Sequence, residues 1–279
     1  MSCSERLRRV LAVALPVQDI LERRVEDAQV PPWCEQRGWT PFLRSLSDAQ
    51  LREAEAHGLA QLLPTFPEAP PDLRELGREI TDVTALAPIE GHTALGAEAL
   101  RSVRLRKRAQ LSGLLAAVAG MAEAAERIVD VGAGSGHFTR LSAELFERDT
   151  LGLEHNPARV ATAQQRSDGS RARFLAVDAR EALALSERDL AIGLHACGEL
   201  GDRLVAAVGH AGCDLALVSC CLQKISTPTR TPLAFGLELR REHLGLTNLT
   251  AQPQGVEASI EVTIAARETR YALGLLLRA

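Results

Sequence analysis

Five short apolar runs, at 128–131, 150–153, 173–177, 190–194 and 215–218, are separated by segments long enough to return across a sheet as helices. Parallel neighbours need such crossovers, and strands covered on both faces read as unbroken apolar runs, so the alternation predicts a parallel sheet with helices on both sides. The ends of the chain read differently. Up to about residue 90 the spacing is helical and broken by loops: Leu7, Val10, Leu11, Val17, Ile20, Leu21 and Val25 continue one apolar face, with a kink expected at Pro16. Ser47 or Asp48 is placed to cap a helix running through Leu51 and Glu55. The four prolines of 64–71 block regular structure and mark a linker or a surface-hugging connection. At the other end, 256–266 and 271–277 read as two strands joined by a short polar turn, an antiparallel hairpin that finishes the sheet. The division expected is a helical region over 1–90 and an α/β domain over 91–279.

With 279 residues, 46% hydrophobic and 24% charged, core volume is not limiting, and no run reaches the roughly 18 uncharged apolar residues of a membrane span. Arg6, Arg8 and Arg9 before an apolar stretch imitate a signal peptide, but the helical spacing continues through charged residues with no fitting cleavage site. Six cysteines without a secretion signal argue against a disulfide framework and for a reducing, cytoplasmic setting. A net charge of −4 argues against a broadly nucleic-acid-attracting surface, so any basic patch must be local.

The first strand-like run leads into Gly132-Ala133-Gly134-Ser135-Gly136, that is G-x-G-x-G, whereas the dinucleotide fingerprint would put its third glycine at His137. Without a Cβ the loop can turn sharply and bring backbone amides against a nucleoside, and the helix starting near His137 aims its N-terminal amides at a carboxylate. The spacing resembles that of methyltransferases that use S-adenosylmethionine. Three acids end the first three strands. Asp130 suits the ammonium group or a water beside it, and Glu154, about 20 residues after Gly134, suits both ribose hydroxyls. Asp178, with Ala179 beside it, suits the adenine amino nitrogen.

The fourth and fifth runs end in His195-Ala196-Cys197-Gly198-Glu199 and Ser219-Cys220-Cys221-Leu222-Gln223-Lys224. The [DN]-P-P-[FYW] tetrapeptide of many amino-group methyltransferases is absent. The segments D-V-G-A-G-S-G-H-F-T, G-L-H-A-C-G-E-L and V-S-C-C-L-Q-K-I resemble the methyltransferase domain of the glutathione S-transferase C-terminal domain-containing and ribosomal RNA adenine dimethylase domain-containing proteins. A more distant similarity is to tRNA 2′-O-methyltransferases, without their long cysteine-histidine zinc elements. The resemblance covers roughly 95–225. It implies the Rossmann-like class I methyltransferase fold, S-adenosylmethionine as cofactor, and cofactor contacts at 130–136, 154, 178 and His195. It hands over no acceptor.

His195 is a candidate cofactor contact or general base, set against a histidine satisfied by backbone bonds. Cys197 and Cys221 or Cys220 stand at strand ends where cytosine-C5 methyltransferases carry thiols, but Ala196 replaces the usual proline, and small buried cysteines are the favoured account. Strand alternation lets at most one of the adjacent pair face the site. A zinc site from His195, Cys197 and one further cysteine matches no familiar spacing, so no metal is expected. The basic run 101–108 suits phosphates, though aromatic residues for base stacking total only 3%. The resulting expectation is a methyltransferase with RNA slightly ahead of a protein or small-molecule acceptor, and a non-catalytic cofactor-binding scaffold as rival.

Overall fold

The computed structural model describes residues 3–21, 30–85, 103, 105–181, 183–230 and 239–244, with Glu261, Val262, Ile264, Ala265, Glu268, Thr269 and Ala272. The chain divides into two compact units, Met1–Ala87 with Gly236–Ala279, and Pro88–Phe235.

In the first unit, α1 (Cys3–Ala14) passes through a 3₁₀ turn at Leu15–Val17, where Pro16 interrupts the α-helical ladder, into α2 (Gln18–Leu21). Then come α3 (Pro32–Gln36), α4 (Thr40–Ser45), α5 (Asp48–His57), α6 (Leu59–Leu62) and α7 (Pro71–Thr84). Ser47 is the residue that caps α5, in a reciprocal capping box with Gln50. The proline-rich stretch differs from its expectation. Pro71 opens α7 at the position where a missing N–H costs nothing, and Phe66 and Ala69 are buried with Trp39, Phe42 and Leu73 in the unit's core. The Phe42 and Phe66 rings lie 5.8 Å apart, and Trp39 Nε1 donates to Asp72 Oδ2 at 2.8 Å, so the buried indole is satisfied.

The second unit holds the sheet. Its strands β1 (Arg127–Val131), β2 (Asp149–Glu154), β3 (Ala172–Ala176), β4 (Asp189–Leu194) and β5 (Asp214–Val218) are all parallel, in the order β3-β2-β1-β4-β5. Helices α8 (Leu105–Ala124), α9 (His137–Phe146), α10 (Pro157–Gln165) and α11 (Glu199–Ala211) accompany it. Alternation along β1 divides the core: Ile128 packs with Leu111, Leu115 and Val118 of α8, while Val129 and Val131 pack with Leu204 and Val208 of α11. The order reverses between β1 and β4, and the crevice outside the carboxyl ends at such a switch point is where open α/β sheets take ligands. Among the described residues of 88–235, these five strands are the ones expected from the apolar runs.

The hairpin expected over 256–266 and 271–277 lies largely outside the described residues. Where they are described, Glu261, Val262, Ile264, Ala265 and Ala272 are helical, which corrects the strand reading there. Val256, Ile260 and Ile264 are four apart, a spacing that serves a helix as well as a strand, and the β-branched composition that favoured a strand is only a weak preference.

Candidate active site

A cavity of about 490 Å³ opens at the carboxyl ends of β2, β3 and β4. Its wall takes in five of the residues singled out from the sequence: Gly132, Asp178, Ala179, His195 and Cys197. The others stand behind or beside it. Gly132, Gly134 and Gly136 all have positive φ, at 79°, 59° and 70°, so the chain leaves β1 through a turn that L side chains resist. Gly136 also lies against Phe174 of β3, where an added Cβ would come within 2.5 Å of Cζ. Ala133 is buried beneath the loop and Ser135 is exposed on it.

Glu154 turns its carboxylate into the glycine loop. Oε2 accepts from Gly134 N at 3.0 Å and Oε1 from Asn156 N at 3.1 Å, with His155 Nδ1 3.0 Å from Oε1, so this buried acid braces the loop from the end of β2. Asp130 is buried too and accepts from Thr139 Oγ1 at 2.6 Å, tying β1 to α9. Burial pushes its pKa up to about 6, against the pull of the Thr139 bond and of Lys107. Asp178, by contrast, faces the cavity with part of its carboxylate open. Arg180 grips it at 2.9 and 2.6 Å and holds its pKa down to about 2, so it is an anion at any neutral pH.

His195 follows the last residue of β4 with φ at 66°, a left-handed conformation uncommon for residues other than glycine. Its N–H donates to Val218 O at 2.8 Å, and Nε2 stands 3.4 Å from Gln110 Oε1 of α8. His137, buried at the start of α9, has its pKa pushed down to about 4 by burial and then by the charges of Lys107, Arg140 and Arg166. It is neutral, and its Nδ1 accepts from Arg140 Nη2 at 3.2 Å.

The two cysteine segments meet. Cys220 and Cys221 lie past the end of β5, where strand alternation no longer applies, and both sulfurs turn toward Cys197: Cys197 Sγ to Cys220 Sγ is 3.0 Å and Cys220 Sγ to Cys221 Sγ is 3.5 Å. Of the three, only Cys197 lines the cavity, so the pair meets Cys197 beside the site rather than within it. Cys34, Cys197, Cys213, Cys220 and Cys221 are all free thiols. Of the basic run, Arg101 and Arg104 lie outside the described residues; Lys107 is half-buried, and Arg108 Nε donates to Val103 O at 2.8 Å. Residues the sequence reading missed are Arg180, Leu200 and Lys224 on the cavity wall. Arg180 was legible as a cation two residues past an acid, but Lys224 reaches the wall only because its loop folds back over Gly198, where Glu199 N donates to Lys224 O at 2.9 Å.

No described helix is long and apolar enough to cross a membrane. No curated protein matches the chain. Residues 106–228 match a family described as a methyltransferase domain. Among solved structures, the chain is similar to a magnesium protoporphyrin IX methyltransferase from Synechocystis with bound SAH, at 17% identity and a TM-score of 0.33, covering 44% of this chain and 59% of that one. A sugar N-methyltransferase from Streptoalloteichus is 20% identical with a TM-score of 0.35, covering 49% and 58%. A Pyrococcus abyssi tRNA (uracil-54, C5)-methyltransferase in complex with S-adenosyl-L-homocysteine is 23% identical with a TM-score of 0.33, covering 40% and 29%. The chain thus spans less than two thirds of each of these structures. The order of the five parallel strands, over the stretch that the family model matches, is that of the Rossmann-like class I methyltransferase fold, preceded in the chain by a helical N-terminal region.

Proposed function

We propose that this chain is a cytoplasmic methyltransferase that uses S-adenosylmethionine and acts on an anionic acceptor, RNA ahead of a protein or a small molecule. The observation that carries the reading is the position of the cavity: it lies at the carboxyl ends of the strands beside the β1/β4 switch point, lined by Gly132 and the ionised Asp178. Its size suits a nucleoside rather than a single small ion. The resemblance to the glutathione S-transferase C-terminal domain-containing and ribosomal RNA adenine dimethylase domain-containing proteins agrees with this reading.

The sulfonium cofactor supplies an already activated methyl group when bound. The chain's own residues then have to align and to shield. The Gly132–Gly136 backbone, braced by Glu154, lets the nucleoside approach closely, and Asp178 offers an anionic acceptor for an amino group on the cavity wall. Leu153, Ala179 and Leu200 supply apolar wall that excludes water, while His195, fixed by its backbone bond to Val218, orients a group at the mouth. The basic run at 101–108 supports an acceptor carrying phosphates.

Calorimetric titration with S-adenosylmethionine tests the cofactor: binding is expected in the micromolar range, weakened about tenfold or more by Asp178→Ala and by Gly132→Val. Absence of heat for the wild type sinks the reading. Labelled cofactor incubated with cell extract then identifies the acceptor class, since the product should be degraded by RNase; a protease-sensitive product would assign a protein instead.

A further inference from the structure

Three thiols converge where β4 and β5 end, and the proposed methyl transfer does not require them as a set. Cys197 is buried, Cys221 half-buried and Cys220 exposed, and the three sulfurs all fall within 4.8 Å of one another. The backbone fixes them there. Cys220 N donates to Cys197 Sγ at 3.1 Å, His195 N to Val218 O and Glu199 N to Lys224 O, and Gly198 packs so tightly under Lys224 that a Cβ would overlap its carbonyl.

Thiolates at 2.3 Å around one tetrahedral ion stand roughly 3.8 Å apart. The 3.0 and 3.5 Å pairs and the 4.8 Å limit on the third are each within about 1 Å of that figure. A disulfide would use two of the sulfurs and leave unexplained why the third joins them. No His, Asp or Glu completes the group among the described residues, so a three-sulfur set selects a soft cation and leaves a fourth position open.

We propose that Cys197, Cys220 and Cys221 form a binding site for one thiophilic closed-shell cation, Zn²⁺ or Cu⁺, at the wall of the cavity that Cys197 lines. Cys220 is the entry side, since it alone of the three is exposed. This replaces the expectation of no metal, and the histidine of the sequence reading gives way to the second cysteine of the adjacent pair.

The test uses the reduced full-length chain, stripped with a chelator and titrated with Cd²⁺ and with Zn²⁺. A thiolate-to-cadmium charge-transfer absorption saturating at one equivalent is expected, together with protection of the cysteines from alkylation by Zn²⁺. Cys220→Ser, on the exposed side and the least disturbing to the fold, should weaken both by at least ~100-fold, beyond what loss of an outer partner produces. Cys197→Ser should do the same, and Cys213→Ser, outside the cluster, should change affinity by less than about threefold. The proposal falls if the reduced wild type gives no charge-transfer band, or if the band survives Cys220→Ser undiminished. It falls equally if purified protein carries a Cys197–Cys220 disulfide that reduction opens without restoring metal binding. None of these readouts depends on cofactor binding, so the site stands or falls apart from the proposed activity.

Discussion

Gly136 meets two separate constraints, and its substitution separates them. At Gly134, where an added Cβ meets only Gly132 O at 3.9 Å, a Gly→Ala change carries just the left-handed backbone penalty of about 1–2 kcal/mol. Gly136→Ala adds collision with the Phe174 ring and is expected to destabilise by about 3 kcal/mol or more in urea denaturation. Equal losses at the two positions would mean that Phe174 moves aside freely. Asp130 provides a pH-dependent counterpart. Its folded pKa, about 6, lies above the 3.8 of a free aspartate, so the folded state holds the proton more tightly and stability is lost as pH rises through that window. Asp130→Asn should therefore gain on the wild type by up to about 3 kcal/mol between about pH 4 and about pH 7. Both residues were legible as site candidates from the sequence. What could not be read was how the acids are held: Asp130 accepts from Thr139 of α9, and Glu154 from the Gly134 amide of the loop.

At the scale of elements, the strands were legible because parallel strands flanked by crossover helices read as apolar runs, and this held even for the edge strands β3 and β5, where Leu175 and Val218 are exposed. The C-terminal hairpin was misread where residues are described, since a spacing of four and β-branched composition do not discriminate alone. The meeting of Cys197 with the cysteine pair was not legible, because β5 ends at Val218 and the pair sits on the loop beyond it. What pins β1 to β4 at their amino ends is not apolar. Arg127 Nε and Nη2 donate to Asp189 at 2.9 and 2.6 Å, and Ser186 N adds a third bond to this buried carboxylate. Arg127→Met should destabilise by about 3 kcal/mol, since it strands a buried charge, and thermal denaturation checks it. The Arg127 and Ser186 bonds outweigh burial and hold the Asp189 pKa below 3.8, so the pair's stabilisation is present at neutral pH and lost as pH falls through the lowered value. The variant's deficit should therefore shrink in acid. A deficit constant with pH would assign the effect to packing.

For the whole molecule, the question is which stretch suffices for cofactor binding. The family match ends at 228 and the compact unit at Phe235, whereas the pattern of apolar runs gave a domain from 91 to 279. Every residue of the cavity wall and of the cores around β1 lies between 103 and 226. The N-terminal helices have a core of their own, centred on Trp39, Phe42 and Phe66. A fragment of residues 88–235 is accordingly expected to fold cooperatively and to bind S-adenosylmethionine with an affinity within about threefold of the full chain, measured by calorimetry. If methylation of extract RNA is lost in the same fragment, the helical unit is the acceptor-binding element. A fragment that stays unfolded would show instead that residues 1–87 and 236–279 belong to the catalytic core, and that the five-stranded sheet cannot stand without them.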